Sequence, residues 1–217
     1  DIPWLSACGD ACDLVISSRA RMARNLHAIP FVDRASEDEL GRVIQTVLKA
    51  SGGCSFLEHG RYADMSRLDP PERQYYVERR LISGDFAECD HMRGVYVTPE
   101  ESISLMMNEE DHIRLQVLTS GFSLREAWAK LHQLESDLSQ RLNFAYSRRF
   151  GYLTACPSNV GTGVRFSVFI HLPVLTLTRQ IDPLFSEVLP HGISIRGFYG
   201  EGSEAIGNFF QISNQYT

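Results

Sequence analysis

"SISLMMNEEDHIRLQVL", residues 102–118, places two short apolar segments on either side of a polar turn. Alternation of apolar and polar residues, the period of a β-strand, recurs along the chain. The further segments are GVYVT (94–98), GYLTAC (151–156), GVRFSVFIHL (163–172), ISIRGFY (193–199) and NFFQIS (208–213). Connections as short as EED (109–111) and TPEE (98–101) join consecutive strands, whereas parallel neighbours need longer crossovers. The sequence therefore predicts a mostly antiparallel sheet.

Three segments carry the 3.6-residue period of a helix. Residues 36–53 begin with Ser36 and Glu39, which together form a capping-box pattern, and end at two glycines. Residues 123–142 repeat the pattern with Ser123 and Glu126, and residues 70–83 start with two prolines. The apolar stripe of the 123–142 helix is predicted to be Ala127, Trp128, Leu131, Leu134, Leu138 and Leu142. The predicted fold class is α+β, a mostly antiparallel β-sheet flanked by helices.

Length and composition limit the class of protein. The chain has 217 residues, of which 43% are hydrophobic, and no linker-like tract divides it, so we expect one domain over residues 1–217. No apolar run approaches the ~20 residues that span a bilayer, and the amino terminus lacks a secretory signal. A net charge of −6 disfavours a nucleic-acid partner. Five cysteines form a poor disulfide framework, and a zinc site at Cys8 and Cys12 is disfavoured. We expect a cytoplasmic location.

Several arginines are predicted to share one face of the sheet. In residues 15–25, Arg19 and Arg21 alternate with Ala20 and Met22. In residues 163–172, Arg165, Ser167 and His171 lie opposite the apolar face, with Phe169 as the exception; Arg114 and Arg196 sit on two further strands. Each arginine taken alone fits a solvated strand face better than a binding site. Together they resemble a cradle for an anion, because guanidinium groups grip phosphate oxygens in pairs.

Two loops add carboxylates. NEEDHIR (108–114) contains Glu109, Glu110 and Asp111, and GFYGEGSEAIG (197–207) contains Glu201. Either loop alone also fits an exposed acidic turn. A strand rather than a helix follows GEGSEA, which argues against a dinucleotide fingerprint, and no P-loop motif occurs. A nucleotide would therefore have to be held by side chains.

Residues 152–165, YLTACPSNVGTGVR, combine a cysteine, a Pro-Ser-Asn turn, two glycines two positions apart and an arginine. We interpret YLTAC as a strand that brings Cys156 to the end of the sheet, and PSNVGTG as a tight turn. Its glycines would let the backbone approach phosphate, and Arg165 would begin the return strand. On its own, Cys156 also fits a small buried hydrophobic residue.

SSRARMARN (17–25), NEEDHIR, CPSNVGTGVR (156–165) and RGFYGEG (196–202), in this order, resemble the phosphagen (guanidino) kinases. The chain looks most similar to the bacterial protein-arginine kinases within that family. SSRARMARN begins at residue 17, which leaves no room for the helical amino-terminal domain of the metabolite kinases. Tyr199 replaces a further arginine of the metabolite kinases, while Gln211 and Phe169 replace an acidic residue and a histidine near the nucleoside.

The resemblance implies a glutamine synthetase-like catalytic domain and a set of functional residues. The phosphate-binding arginines would be Arg19, Arg21, Arg114, Arg165 and Arg196. The paired substrate carboxylates would be Glu110, which takes the proton, and Glu201. The active-site cysteine would be Cys156, a thiolate beside the substrate guanidinium. Ser17 and Ser167 would lie near the nucleotide.

The resemblance also implies the reaction and its partners. ATP would phosphorylate arginine side chains of proteins, with Mg²⁺ held by the phosphates and water rather than by dedicated protein ligands. It further implies a carboxy-terminal continuation, a homodimer of the full-length protein and a link to a Clp-type protease system, with no nucleic-acid or membrane partner. Two alternatives stay open: a kinase of free arginine or another small guanidino compound, and an inactive module that binds arginine or phosphoarginine.

Overall fold

Eight antiparallel strands form the central sheet. The computed structural model describes residues 2–88, 91–197 and 206–216. The strands lie in the order β2-β3-β4-β5-β1-β8-β10-β9, and two short strands, β6 and β7, form a separate hairpin. Their bounds are β1 Val15–Arg24, β2 Arg61–Asp64, β3 Gly94–Val97, β4 Ile103–Met107, β5 Ile113–Ser120, β6 Tyr146–Ser147, β7 Gly151–Tyr152, β8 Val164–His171, β9 Ile193–Arg196 and β10 Phe209–Asn214. The predicted fold class, α+β with an antiparallel sheet, is confirmed.

Helices pack on both faces of the sheet. They are α1 Glu37–Ser51, α2 Pro70–Glu78, α3 Gly84–Glu88, α4 Leu124–Ser139, α5 Pro173–Leu177 and α6 Ile181–Val188. The main core joins α1 and α4 to the face that carries Ala20 and Met22. A smaller core lies between Phe86 of α3 and Met106 of β4, on the face that carries the arginines. None of the helices in the described residues has the length and apolar character needed to cross a membrane.

The cap of α1 is as predicted and the cap of α4 is not. Ser36 and Glu39 form the reciprocal capping box. Ser123 precedes α4, but its side chain caps no helical N–H. Its Oγ lies 2.8 Å from Thr119 Oγ1 and 2.8 Å from the Ser120 carbonyl oxygen instead. The prediction of a capping box with Glu126 was therefore wrong, because the end of β5 competes for the same hydroxyl.

The predicted strand over residues 151–156 is much shorter than expected. Only Gly151 and Tyr152 are in a strand, and they pair with Ser147 and Tyr146 outside the main sheet. Farther along, the Ala155 N–H donates to a side chain, Asp111 Oδ1, at 2.7 Å rather than to a neighbouring strand. The interpretation of YLTAC as a strand of the sheet was wrong for this reason. The following glycines do adopt positive φ, 120° at Gly161 and 65° at Gly163.

A buried ion pair joins the end of β1 to α4. Arg24 Nε donates to Glu135 Oε1 at 3.2 Å, and both side chains are less than 10% exposed. The Arg24 guanidinium also stacks 3.4 Å from the Tyr152 ring centre, and the Tyr152 hydroxyl donates to Glu135 at 3.1 Å. Arg24 Nη1 donates to the Thr162 carbonyl at 2.9 Å. The pair therefore supports both the β6–β7 hairpin and the glycine-containing turn.

We expect Glu135→Leu to lower the free energy of unfolding by about 3–5 kcal/mol, because it leaves the Arg24 charge buried without its carboxylate. The measurement is urea denaturation at pH 7. Glu126→Leu is the matched control: it breaks an exposed ion pair of α4, Glu126 with Lys130 at 2.8 Å, for about 0.5 kcal/mol. Equal losses in the two variants would contradict the account of the buried pair.

Candidate active site

The predicted arginines share the face of the sheet opposite α1 and α4. Directly paired residues of antiparallel strands project to the same side. Arg21 pairs with Arg165 and Arg19 with Ser167 across β1 and β8. Ala23, on the Arg21 side of β1, pairs with Arg114 of β5, and Gln211 of β10 pairs with Arg196 of β9. The prediction that arginines from separate strands share one surface is confirmed.

A cavity of about 580 Å³ opens on this face. It is lined by Arg21, Met22, Ala23, Asp85, Arg93, Glu109, Glu110, Arg114, Cys156, Ser158, Asn159, Gly163, Arg165 and Arg196. Six of the predicted site residues are thereby brought together. Arg19, Ser17 and Ser167 do not line it: both serines are buried, and Arg19 donates to Ser167 Oγ at 3.2 Å. Glu201 and Tyr199 lie outside the described residues.

The arginine cluster carries positive charge in a largely buried setting. Burial, together with repulsion from neighbours such as Arg114 and Arg165, lowers the pKa of Arg21 from its ordinary value to about 9. Burial likewise lowers the pKa of Arg19 well below its ordinary value, with Arg21 as the next cause. Among the described residues, no carboxylate lies within ion-pairing distance of either guanidinium. A bound polyanion would relieve this repulsion.

Two carboxylates face the cluster from the β4–β5 turn. Arg114 Nη1 donates to Glu109 Oε1 at 2.6 Å, and Arg114 Nη2 donates to Glu110 Oε2 at 3.1 Å. Burial raises the pKa of Glu110, while Arg114 opposes this and the Cys156 thiol donates a hydrogen bond that also lowers it. The Cys156 Sγ atom lies 3.0 Å from Ser158 Oγ. Glu110 and Cys156 therefore lie side by side in the lining of the cavity.

A buried network that the sequence did not reveal holds these loops together. Asp111 Oδ1 accepts from Asn25 Nδ2 at 2.5 Å and from the Ala155 N–H at 2.7 Å. Asn25 Oδ1 in turn accepts from the His112 N–H at 2.9 Å. The end of β1, the Glu110 turn and the Cys156 segment are thus tied to one carboxylate. No local pattern marks Asn25, because its partners lie far away in sequence.

His112 is fixed as a neutral side chain. Its Nδ1 accepts from the Leu26 N–H at 3.0 Å, and its Nε2 donates to the Pro30 carbonyl at 2.8 Å. Burial, the largest cause, lowers the pKa of His112 below 6.5. A proton on His112 Nδ1 would face the Leu26 N–H, which is also a donor, so the hydrogen bond would be lost.

Stability should therefore fall as the pH drops below about 6.5, because the unfolded chain binds a proton that the folded chain resists. We expect His112→Asn, whose Oδ1 can accept from Leu26, to reduce the loss of unfolding free energy between pH 7.5 and pH 5.5. Urea denaturation at both pH values measures it. His27→Asn, at an exposed position two residues after Asn25, is the control. An unchanged pH dependence in His112→Asn would contradict the assignment.

The far end of the same face holds Arg80, which the sequence analysis missed. Its guanidinium stacks 3.9 Å from the Phe169 ring centre and donates to Gln211 Oε1 at 2.9 Å. Arg19 donates to the same oxygen at 2.7 Å. Arg80 follows α2 with φ +58°, and burial lowers its pKa to about 10. It lies beyond the end of a helix, so strand periodicity could not find it.

Beside Arg80 and Phe169 lies a second cavity of about 460 Å³, lined also by Trp4, Leu5, Ile16, Tyr75, Glu78 and Arg79. Its lining is mainly aromatic and aliphatic side chains with arginines. The face therefore has a carboxylate and thiol end, an arginine-rich centre, and an end where an aromatic ring lies beside an apolar recess.

These features agree with the family to which the sequence is related. The model of the ATP:guanido phosphotransferases, C-terminal catalytic domain, matches residues 42–217. The chain belongs to the ATP:guanido phosphotransferase family, so the family predicted from the sequence is confirmed.

The relatives include bacterial protein-arginine kinases. The protein of Halothermothrix orenii is 45% identical over 214 residues, which cover 99% of this chain and 61% of that protein. The protein of Symbiobacterium thermophilum is 46% identical over 218 residues, which cover 98% of this chain and 61% of that protein. The chain spans about three-fifths of the length of the curated relatives it matches.

Two solved structures share the fold. The duplicated taurocyamine kinase from Schistosoma mansoni with bound transition state analog components has a TM-score of 0.80 at 27% identity. The match covers 94% of this chain and 30% of that one. Lombricine kinase has a TM-score of 0.78 at 24% identity, over 94% of this chain and 60% of that one. The second likeness bears on the fold alone.

Proposed function

We propose that this chain is the catalytic domain of a protein-arginine kinase, which transfers the γ-phosphoryl group of ATP to an arginine side chain of a protein. The observation that carries the proposal is the cluster of partly buried arginines that lines one cavity with Glu110 and Cys156. The relatives at 45% and 46% identity support the choice of reaction. One domain over residues 1–217 is part of this proposal.

The arginine-rich centre would hold the phosphates. Arg19, Arg21, Arg114, Arg165 and Arg196 would supply donors, with Ser17 and Ser167 beneath Arg19. Arg19 and Arg21 are partly buried and form no ion pair with a carboxylate of the described residues, so they fit a polyphosphate that restores charge balance. Mg²⁺ would be held chiefly by the phosphates and water, and would neutralise charge that develops on the transferred group.

The carboxylate and thiol end would hold the substrate guanidinium. Glu110 and Glu201 would fix its orientation, and the Cys156 thiolate would lie beside it. A guanidinium is a poor nucleophile because it stays protonated at neutral pH. As its nitrogen bonds to the γ-phosphorus and the bond to the ADP oxygen breaks, Glu110 would accept the nitrogen-bound proton.

The decisive experiment asks for the product on protein. The chain is incubated with Mg-ATP and casein, and phosphoarginine is sought by mass spectrometry at neutral pH, because the P–N bond is acid-labile. Glu201→Gln should abolish the product, while Glu204→Gln, three residues away, should not. Product on free arginine alone would favour a metabolite kinase. No product on either, with ATP binding retained, would favour a binding module.

We place the nucleoside at the Phe169 end. Phe169→Ala is expected to raise KM for ATP about tenfold, because it removes the ring that holds the Arg80 guanidinium beside the recess, a cation–π contact that contributes about 1–2 kcal/mol. Arg80→Ala should act in the same direction, whereas Arg67→Ala, at an exposed arginine that lines neither cavity and pairs with Asp64 at 3.4 Å, should not. Steady-state kinetics with varied ATP measure it. Unchanged KM in both variants would move the nucleoside elsewhere.

The remaining proposals rest on the resemblance alone. They are a cytoplasmic location, a homodimer of the full-length protein and a link to a Clp-type protease. Size-exclusion chromatography of the full-length protein and co-purification with protease subunits would test the last two.

A further inference from the structure

The β6–β7 hairpin exposes two aromatic rings. Tyr146 is 59% exposed and Phe150 is 54% exposed, at either side of the turn that contains Arg148 and Arg149. Both arginines are exposed, and the Arg149 guanidinium lies 4.9 Å from the Phe150 ring centre. Exposed aromatic and arginine side chains together are the residue types enriched at protein interfaces.

The hairpin is held rigidly from beneath. Tyr152 contacts Tyr146 edge to face at 5.3 Å and is itself covered by the Arg24 guanidinium at 3.4 Å. The Tyr152 hydroxyl donates to the buried Glu135. A surface that is already ordered loses little conformational entropy when a ligand binds. The exposed rings therefore belong to a surface that is already ordered before a ligand binds.

The hairpin is continuous with the wall of the cavity. The Tyr152 N–H donates to the Gly161 carbonyl at 2.9 Å, and the Gly161 N–H donates back at 3.2 Å. Cys156 and Ser158 of the intervening turn, and Gly163 just after it, line the cavity. Cys156 follows Tyr152 by four positions and Arg149 by seven. At up to about 3.5 Å per residue, an extended peptide would cross the same distance within about four to seven residues.

The charge of the hairpin selects among ligands. The hairpin, residues 146–152, contains two arginines, Arg148 and Arg149, and no acidic residue, in a chain whose net charge is −6. A polypeptide that follows this surface would meet positive charge, so acidic side chains would be favoured.

We propose that the hairpin docks the polypeptide that carries the target arginine, and that it favours acidic side chains about four to seven residues from that arginine. This inference rests on the proposed function, because it deepens the choice of substrate at the same site. It adds a site of sequence preference that lies outside the cavity.

Peptides of about 15 residues with one central arginine provide the test. Two aspartates are placed five and six residues before or after the arginine, and matched peptides carry lysines instead. We expect the native chain to favour aspartate over lysine on at least one side by about fivefold in kcat/KM, as for two exposed ion pairs. The double variant Arg148→Glu/Arg149→Glu should reverse the preference.

Control variants separate docking from net charge. Arg34→Glu/Arg67→Glu makes the same charge change at two exposed arginines outside the hairpin and should keep the native preference. Phe150→Ser should raise KM for the preferred peptide without lowering the melting temperature, since the ring is exposed. Turnover of a blocked single arginine, too short to reach the hairpin, should be equal in all these variants.

An unchanged aspartate preference in Arg148→Glu/Arg149→Glu, or no preference in the native chain, would overturn the inference. If no peptide or free arginine is phosphorylated, the proposed function fails, and fluorescence anisotropy of labelled aspartate and lysine peptides still decides the docking. Sedimentation velocity tests a second copy as occupant. If the double variant loses self-association but keeps the peptide preference, the hairpin binds a second copy of the chain and not the substrate.

Discussion

Glu110→Gln should lower kcat for phosphoarginine formation by about a thousandfold while the chain stays folded. General base catalysis contributes about 10²- to 10⁴-fold, and a glutamine amide cannot accept the proton that leaves the guanidinium. The structure places Glu110 beside Cys156 at the end of the cavity, in a setting where burial raises its pKa. Glutamine keeps the size of the side chain, so the substrate pocket should keep its shape.

The measurement is single-turnover phosphorylation of a protein substrate at neutral pH. Glu100→Gln, at an exposed position in the β3–β4 connection, is the matched control and should retain native turnover. In the native chain kcat should fall as the pH drops through the raised pKa of Glu110. Glu110→Gln should not show this fall in kcat at low pH. Turnover within a few-fold of the native value would remove Glu110 as the base.

Arg21→Met should lose about a hundredfold in kcat and gain stability at the same time. The loss follows because one preorganised donor to a developing phosphoryl charge contributes roughly 3 kcal/mol. Arg114→Ala, Arg165→Ala and Arg196→Ala should show losses of the same scale. The gain follows because Arg21 is partly buried among other arginines that repel it, and an apolar side chain of similar size avoids both the desolvation and the repulsion.

Thermal denaturation at several pH values tests the predicted gain in stability of Arg21→Met. The pKa of Arg21 in the folded chain is lowered to about 9, so the unfolded chain binds more protons above pH 9 and native stability rises with pH there. The stability gap between Arg21→Met and the native chain should therefore narrow from pH 7 to pH 10. Arg21→Lys, which keeps a cation, should lose activity without the gain. A less stable Arg21→Met would contradict the picture of an electrostatically strained cluster.

Period-two patterns predicted the antiparallel sheet and the shared face of the arginines because strand geometry alone determines which side chains project together. They could not predict Arg80, which reaches the same face from a positive-φ position after α2. The period-two and helix patterns also failed where a group distant in sequence forms the hydrogen bond that the pattern assigned to a neighbour. Asp111 binds the Ala155 N–H, so YLTAC leaves the sheet, and the end of β5 takes the Ser123 hydroxyl from α4. Such contacts depend on tertiary structure.

The attachment of three segments to Asp111 has a consequence for how activity is lost. Asn25 and Ala155 lie 86 and 44 positions away from it along the chain. A single cut by a protease between any two of these segments would not leave a smaller working enzyme, because neither piece retains the whole anchor. In a partial digest, the remaining phosphorylation rate should follow the fraction of uncut chains in direct proportion. The three segments joined through Asp111 thus function only as a single covalent unit.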